Sequence, residues 1–226
     1  MPLPYKACLF DLDGTLVDTL HSIAYFGNHA LSAFALPPIP VQTYKQLVGN
    51  GADVLIHRML KTVNADLPPE KEKALRAEYD RLYESDPLAL AGPYPGLPDV
   101  LGKLHAQGLR LGVLSNKPDN MAQYVAQAFY GPLLDTIRGQ RPQTPKKPDP
   151  AAALEICAAW GLLPRDVLYI GDSGVDMQTG QNAGMDTCGV LWGFRTEEEL
   201  RTHGAKYVAG DPAQLEAAAT GKGRKA

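Results

Sequence analysis

The sequence predicts an α/β protein, with a mostly parallel sheet, helices on both faces and an inserted all-helical subdomain. Three observations predict it. Short apolar runs at residues 7–10, 109–114, 166–170 and 187–191 read as buried strands. Stretches with apolar residues at helical spacing separate them, and strands alternating with helices mean a parallel sheet covered on both sides. The first two runs are also separated by far more chain than the roughly dozen residues that a parallel crossover needs.

Taken in order, residues 7–10 (Ala-Cys-Leu-Phe) form the first strand and run into Asp11-Leu12-Asp13-Gly14-Thr15. The excess chain that follows reads as helical. Ile23, Ala30, Leu31 and Phe34 share a helix face, and Pro37-Pro38-Ile39-Pro40 stops it. Tyr44, Leu47 and Val48 suggest a short second helix, and Gly49-Asn50-Gly51 a sharp turn. Val54, Leu55, Met59 and Leu60 suggest a third helix. Leu75, Tyr79 and Leu82 line a fourth, opened by Pro68-Pro69. No segment here alternates as a strand does. Residues 17–90 are therefore expected to form a helical cap, and residues 1–16 with 91–220 the α/β core.

The turn-rich residues 92–96 (Gly-Pro-Tyr-Pro-Gly) mark the return to the core. Leu97, Val100, Leu101 and Leu104 make an amphipathic helix before the strand at 109–114, which leads into Ser115-Asn116-Lys117. A helix from Pro118 carries Met121, Val125 and Phe129. Residues 133–137 are a weaker strand, and residues 138–150 a basic, proline-rich loop holding Lys146 and Lys147. A helix over 150–160, with Cys157 on its apolar face, precedes the strand at 166–170. That strand runs into Gly171-Asp172-Ser173-Gly174-Val175-Asp176, and a helix follows to Ala183. A strand near 187–191, short helices at 197–203 and 212–219, and a last strand at 206–208 complete the core. The basic tail, residues 221–226, is expected to be disordered.

The bulk properties narrow the function. A net charge of -3 gives no reason to expect nucleic acid or an anionic membrane as partner. No apolar run is long enough to span a bilayer, and residues 1–6 lack a signal-peptide layout. The three cysteines, Cys8, Cys157 and Cys188, are too scattered for a disulfide framework or a zinc site. Reduced thiols in a cytoplasmic protein are the expectation.

The polar residues just past the strands carry the chemistry. Parallel strands point one way, so Asp11, Asp13, Ser115 and Asp172 should gather on one edge of the sheet, where open α/β sheets bind ligands. Asp11 and Asp172 can supply the carboxylates that magnesium favours. Asp176, one helical turn beyond Asp172, is either a metal-supporting acid or a helix first-turn acid. Ser115, backbone N–H groups near Asn116 and the Lys147 ammonium suit the oxygens of a phosphoryl group. An aspartate can attack phosphorus, and Asp13 stands close enough to Asp11 to act as general acid and base. Ser115 could instead be only a helix N-cap, and Lys146 stands beside Lys147 as a competing cation. Gly49-Asn50-Gly51 is a plain turn or a substrate loop.

These segments resemble the four motifs of the haloacid dehalogenase superfamily: Asp11-Leu12-Asp13-Gly14-Thr15, Ser115-Asn116, Lys147-Pro148 and Gly171-Asp172-Ser173-Gly174-Val175-Asp176. The resemblance covers nearly the whole chain, and its first and fourth motifs are the specific ones. It implies a Rossmann-like core with a helical cap. It implies Asp11 as nucleophile and Asp13 as acid/base. Mg2+ would lie on Asp11, the Asp13 carbonyl and Asp172, and the phosphate on Ser115 and Lys147. The second acid of the first motif points to phosphoryl transfer rather than dehalogenation. Residues 47–51 and 190–195 look like segments of the phosphoglycolate phosphatase branch. The expected partner is a small phosphorylated metabolite. A sugar-phosphate mutase would use the same residues. A phosphorylated receiver domain is a weaker rival, because it lacks an insertion like 17–90. The ester's identity and the number of copies that assemble stay open.

Overall fold

The computed structural model describes residues 3–221. The expected tail, residues 221–226, lies outside the described residues except for Gly221. Six parallel strands form the main sheet: β1 (Ala7–Phe10), β4 (Arg110–Pro118), β5 (Thr136–Gln140), β6 (Val167–Gly171), β7 (Asp186–Val190) and β8 (Tyr207–Ala209). Their order is β5-β4-β1-β6-β7-β8, which puts β1 in the interior between β4 and β6. Strand residues alternate between the two faces. Cys8, Phe10, Leu168 and Ile170 meet α5 (Leu97–Ala106), α6 (Asp119–Tyr130) and α10 (Pro212–Thr220). Ala7, Leu9, Val167 and Tyr169 meet α7 (Ala151–Trp160) on the other face. All the residues of β1 and β6 are buried, as their unbroken apolar runs require.

Two strand expectations shift. The segment 133–137 is not one strand. Gly131–Leu133 is a 3-10 turn, and β5 begins only at Thr136 and extends into the stretch expected to be loop. Pro132 sits inside that turn, where its missing N–H does no harm. The strand expected to end at 114 continues as β4 through Ser115 to Pro118, with an irregularity in its pairing with β5 between Leu114 and Pro118.

Between β1 and β4 the chain makes α1 (Leu20–Ala33), α2 (Tyr44–Leu47), α3 (Ala52–Thr62) and α4 (Pro69–Ser85). Their buried residues, among them Ile23, Phe26, Leu31, Met59 and Leu75, form a hydrophobic cluster of their own. Asn28 fastens the proline-rich link after α1. Its side chain accepts from the Ile39 N–H at 2.8 Å and donates to the Ile39 carbonyl at 2.9 Å.

The chain enters and leaves this helical unit through a short antiparallel ribbon, β2 (Val17–Asp18) with β3 (Gly92–Pro93). Residues 17 and 18, expected to belong to the helical segment, are therefore strand, and so are residues 92 and 93, expected to be only a turn. Two residues per strand are too few to show alternation in a sequence. Among the described residues, no helix is long and apolar enough to cross a membrane.

Candidate active site

Asp11 and Asp172 are neighbours because β1 and β6 are. Phe10 pairs with Ile170, and the Asp11 N–H donates to the Ile170 carbonyl at 2.8 Å. Both acids thus leave the same edge of the sheet. Asp176 joins them from the first turn of α8 (Gly174–Asn182). Oxygens of these three buried carboxylates lie within 4.8 Å of one another. Glycines make room for Asp172: a side chain at Gly14, whose φ is 83°, or at Gly193 would run into its carboxylate.

Burial and mutual repulsion act on the charges. Desolvation first, then the Asp176 charge, pushes the Asp11 carboxyl up to about 7, although Lys147 pulls the other way. Asp172 is raised well above the usual carboxylate range, by burial and then by Asp176 and Asp11. Lys147 is the local counter-charge. Its ammonium lies 2.7 Å from Asp176 Oδ1, 3.0 Å from Asp11 Oδ1 and 3.1 Å from the Leu114 carbonyl. Burial opposes its charge, but Asp11 and Asp176 outweigh that and hold its pKa well above the ordinary lysine value. Lys146, the competing cation, points instead at Asp53 of α3, 3.4 Å away and largely in solvent.

Asp176 is the first-turn acid of α8, and it also faces Asp11 and Asp172. With Ser173 it forms a capping box, accepting from the Ser173 hydroxyl at 2.6 Å and the Ser173 N–H at 3.1 Å. Its other oxygen holds Lys147, so both oxygens are engaged. Asp172 Oδ2 accepts from the Phe194 N–H at 2.7 Å. Asp11 Oδ1 is buried and completes no hydrogen bond, despite the nearby ammonium. Hard oxygen donors, crowded and out of water with too little positive charge between them, fit a small divalent cation such as Mg2+.

Ser115 and Asn116 lie at the end of β4. The Ser115 hydroxyl accepts from the Lys117 N–H at 3.3 Å. Asn116 acts as a clamp: its Oδ1 accepts from the Lys147 N–H at 2.9 Å, and its Nδ2 reaches the carbonyls of Lys147 and Gly49, both at 3.2 Å. Asn116 thus ties the Lys147 loop to the helical unit.

A cavity of about 170 Å³ opens between the sheet edge and the helices, with Asp11, Asp13, Ser115 and Asp172 on one wall. Gly49 and Gly51 line it; Asn50 does not, because its Oδ1 turns to Arg58 at 2.9 Å. Three other residues escaped the sequence reading. Lys117 is buried, with its ammonium 3.1 Å from both Asp13 oxygens and 4.5 Å above the Tyr83 ring. Its position directly after Ser115-Asn116 was the available signal. Tyr83 reaches the cavity from α4, and nothing local marks it among the other tyrosines. Arg195 has a side chain only 10% exposed; it donates to the Lys45 and Val48 carbonyls at the end of α2. His203 is half-buried with its ring against Gly174.

The parallel sheet carries its acid cluster at the carboxyl edge, beside the helical unit. The chain belongs to the haloacid dehalogenase-like hydrolase family, whose profile matches residues 5–184. It is 34% identical to a phosphoglycolate phosphatase of Pasteurella multocida, over 93% of this chain and 96% of that one. It is 32% identical to an N-acetylmuramic acid 6-phosphate phosphatase of Pseudomonas aeruginosa, over 93% and 92%. The crystal structure of a predicted phosphoglycolate phosphatase from Haemophilus somnus superposes with a TM-score of 0.87 at 29% identity, covering 94% of this chain and 96% of that one.

Proposed function

We propose that this chain is a magnesium-dependent phosphatase of a small, phosphoglycolate-like phosphate monoester, acting through an aspartyl phosphate on Asp11. The observation that carries the reading is the meeting of Asp11 with Asp172, Lys147 and Ser115 at one sheet edge, with Asp13 two residues beyond. Asp11 attacks phosphorus, and the ester P–O bond breaks. Asp13 gives the departing alkoxide its proton, then takes one from the water that releases phosphate from Asp11. Ser115 and Lys147 hold phosphoryl oxygens, and Asn116 positions the Lys147 backbone. Asp11, Asp172 and the Asp13 carbonyl would hold Mg2+, which supplies positive charge opposite the phosphoryl oxygens. The helical unit, residues 17–90, serves as a cap that keeps bulk water out. The partner is then a small phosphorylated metabolite, and the setting the cytoplasm.

Rapid acid quench and mass spectrometry test this. Asp11→Asn should form no phosphoenzyme. Asp13→Ala should slow turnover by about 10²–10⁴-fold and, with an activated ester, accumulate phosphate on Asp11. Chelation should stop turnover, and Mg2+ restore it. A label on another residue, or full activity after exhaustive chelation, would overturn the reading. Transfer of labelled phosphoryl to a second hydroxyl rather than to water would replace it with a mutase.

A further inference from the structure

Each acid of the first motif has a buried lysine of its own. Lys147 stands 3.0 Å from Asp11 Oδ1. Lys117, with 6% of its side chain exposed, stands 3.1 Å from both oxygens of Asp13. Among the described residues, no other group hydrogen-bonds the Asp13 carboxylate. The proposed chemistry gives Lys147 a task and leaves Lys117 without one.

The backbone puts Lys117 there by departing from a regular strand. Successive residues of a regular strand face opposite sides, so Asn116 would turn away from Ser115 and Lys117. Instead Ser115, Asn116 and Lys117 all line the cavity, where the pairing of β4 with β5 shifts between Leu114 and Pro118. The Lys117 N–H donates to the Ser115 hydroxyl, and its ammonium lies 4.5 Å above the Tyr83 ring. The Tyr83 hydroxyl also interacts with Lys117 and with Ser22 of α1. Lys117 is thus held by the core at its backbone and by the helical unit at its ammonium. Asp13 has no comparable hold of its own. The last torsion of an aspartate is broad, so its rotamer does not fix where the oxygens point. General acid–base catalysis needs those oxygens within hydrogen-bond reach of the reacting atom.

We propose that Lys117 is a positioning residue for Asp13, and that its ammonium fixes the direction of the carboxyl group first toward the leaving oxygen and then toward the attacking water. The proposal rests on the phosphatase reading for the role of Asp13. Protonated Asp13 keeps one oxygen on Lys117 and turns the other, as an O–H donor, to the ester oxygen. After the leaving group departs with that proton, both oxygens are acceptors again, and one takes the proton of the water that attacks the phosphoenzyme.

A double-mutant cycle tests this, with rapid acid quench separating the two steps. Lys117→Met should behave as a weaker copy of Asp13→Ala. With phosphoglycolate it should slow phosphoenzyme formation by about ten- to a hundredfold, the worth of a hydrogen bond to a charged group. With 4-nitrophenyl phosphate, whose leaving group needs no proton, formation should slow by about threefold or less, while hydrolysis of the phosphoenzyme slows as before. Lys117→Arg, which keeps donors for the carboxylate, should recover most of the loss. In the Asp13→Ala background, Lys117→Met should cost no more than about twofold further, because its effect passes through Asp13. Should Lys117→Met not fold, Lys117→Gln carries the same comparisons. An equal loss on both esters, or a full further loss in the Asp13→Ala background, would overturn the proposal. The crystal structure of Lys117→Met with Mg2+ should show the Asp13 carboxylate turned or in more than one orientation; an unchanged Asp13 would overturn the proposal whatever the kinetics. If the unmodified protein hydrolyses no phosphate ester, the phosphatase reading falls, and that structure alone decides whether Lys117 positions Asp13.

Discussion

Asp11 and Asp172 are ionisable groups held where burial and like charge oppose ionisation. The consequence for stability has a definite sign. An acid whose folded pKa is raised binds its proton more tightly in the native state than in the unfolded chain. Its favourable contribution is full below the unfolded value, near 4, and is lost as pH rises through about 7 for Asp11. Metal-free protein should therefore lose stability between pH 4 and pH 7. Asp172→Asn removes one of the repelling charges, and an amide oxygen can still accept from the Phe194 N–H. In a chelator at pH 8 it should melt higher than the unmodified protein, by roughly 2–4 °C per kcal/mol relieved. The gap should close near pH 4, and Mg2+ should reverse it. Thermal melts across that range, with and without Mg2+, check the prediction; a lower Tm for Asp172→Asn in chelator at pH 8 would contradict it. Lys147 sets the opposite expectation. Lys147→Met leaves Asp11 and Asp176 facing each other without their cation, and should destabilise the metal-free protein at pH 8.

At the scale of elements, residues 192–195 connect parts that are remote in sequence. The Trp192 indole donates to the Thr15 carbonyl at 2.9 Å, and the Phe194 N–H to Asp172. The Phe194 ring packs in the hydrophobic cluster of the helical unit, and the Arg195 guanidinium meets carbonyls at the end of α2. One short segment thus touches the first acidic motif, the proposed metal ligand and the cap. Arg195→Ala should weaken cap docking by about 1.5–3 kcal/mol, the usual range for hydrogen bonds from a charged group. The expected result is a raised KM with little change in Tm, and faster amide exchange in α2 and α3. An unchanged KM would mean that other contacts hold the cap alone. These links also show what local pattern can and cannot reveal. Asp11 and Asp172 were legible because a strand, a turn and an acid are contiguous, and parallel strands bring their ends together. Arg195 and Tyr83 were not, since their partners come from segments far away in the chain. The β5 boundary was missed because Leu133 looks like strand while belonging to a turn, and Leu134, though extended, precedes the paired residues of β5. The Lys147-Pro148 match already favoured Lys147 over Lys146, and the fold adds that Lys147 is the buried one of the two.

At the scale of the whole molecule, the helical unit and the sheet bury separate clusters. Leu75 is fully buried in the first of these, away from the proposed chemistry. Leu75→Ala should cost about 2–5 kcal/mol locally. Limited proteolysis should then cut within residues 17–90 before the sheet opens, while the sheet's slowest amides stay protected. Loss of both regions together would show that they unfold as one cooperative unit. The alternation of helix and strand made the sheet readable in advance, and the run of helical segments across residues 20–85, with no alternating stretch among them, did the same for the insertion. The two-residue strands β2 and β3 that join the two regions were too short to leave a pattern.

That ribbon has an evolutionary consequence. Its antiparallel pairing places the start and finish of the insertion side by side, so the lid is grafted through a single doorway. Nothing in the path of β1, β4 or β6 depends on how long the intervening chain is, or on its shape. A lineage can lengthen, shrink or replace the lid, and with it the menu of accepted esters, while the acids beneath stay in register.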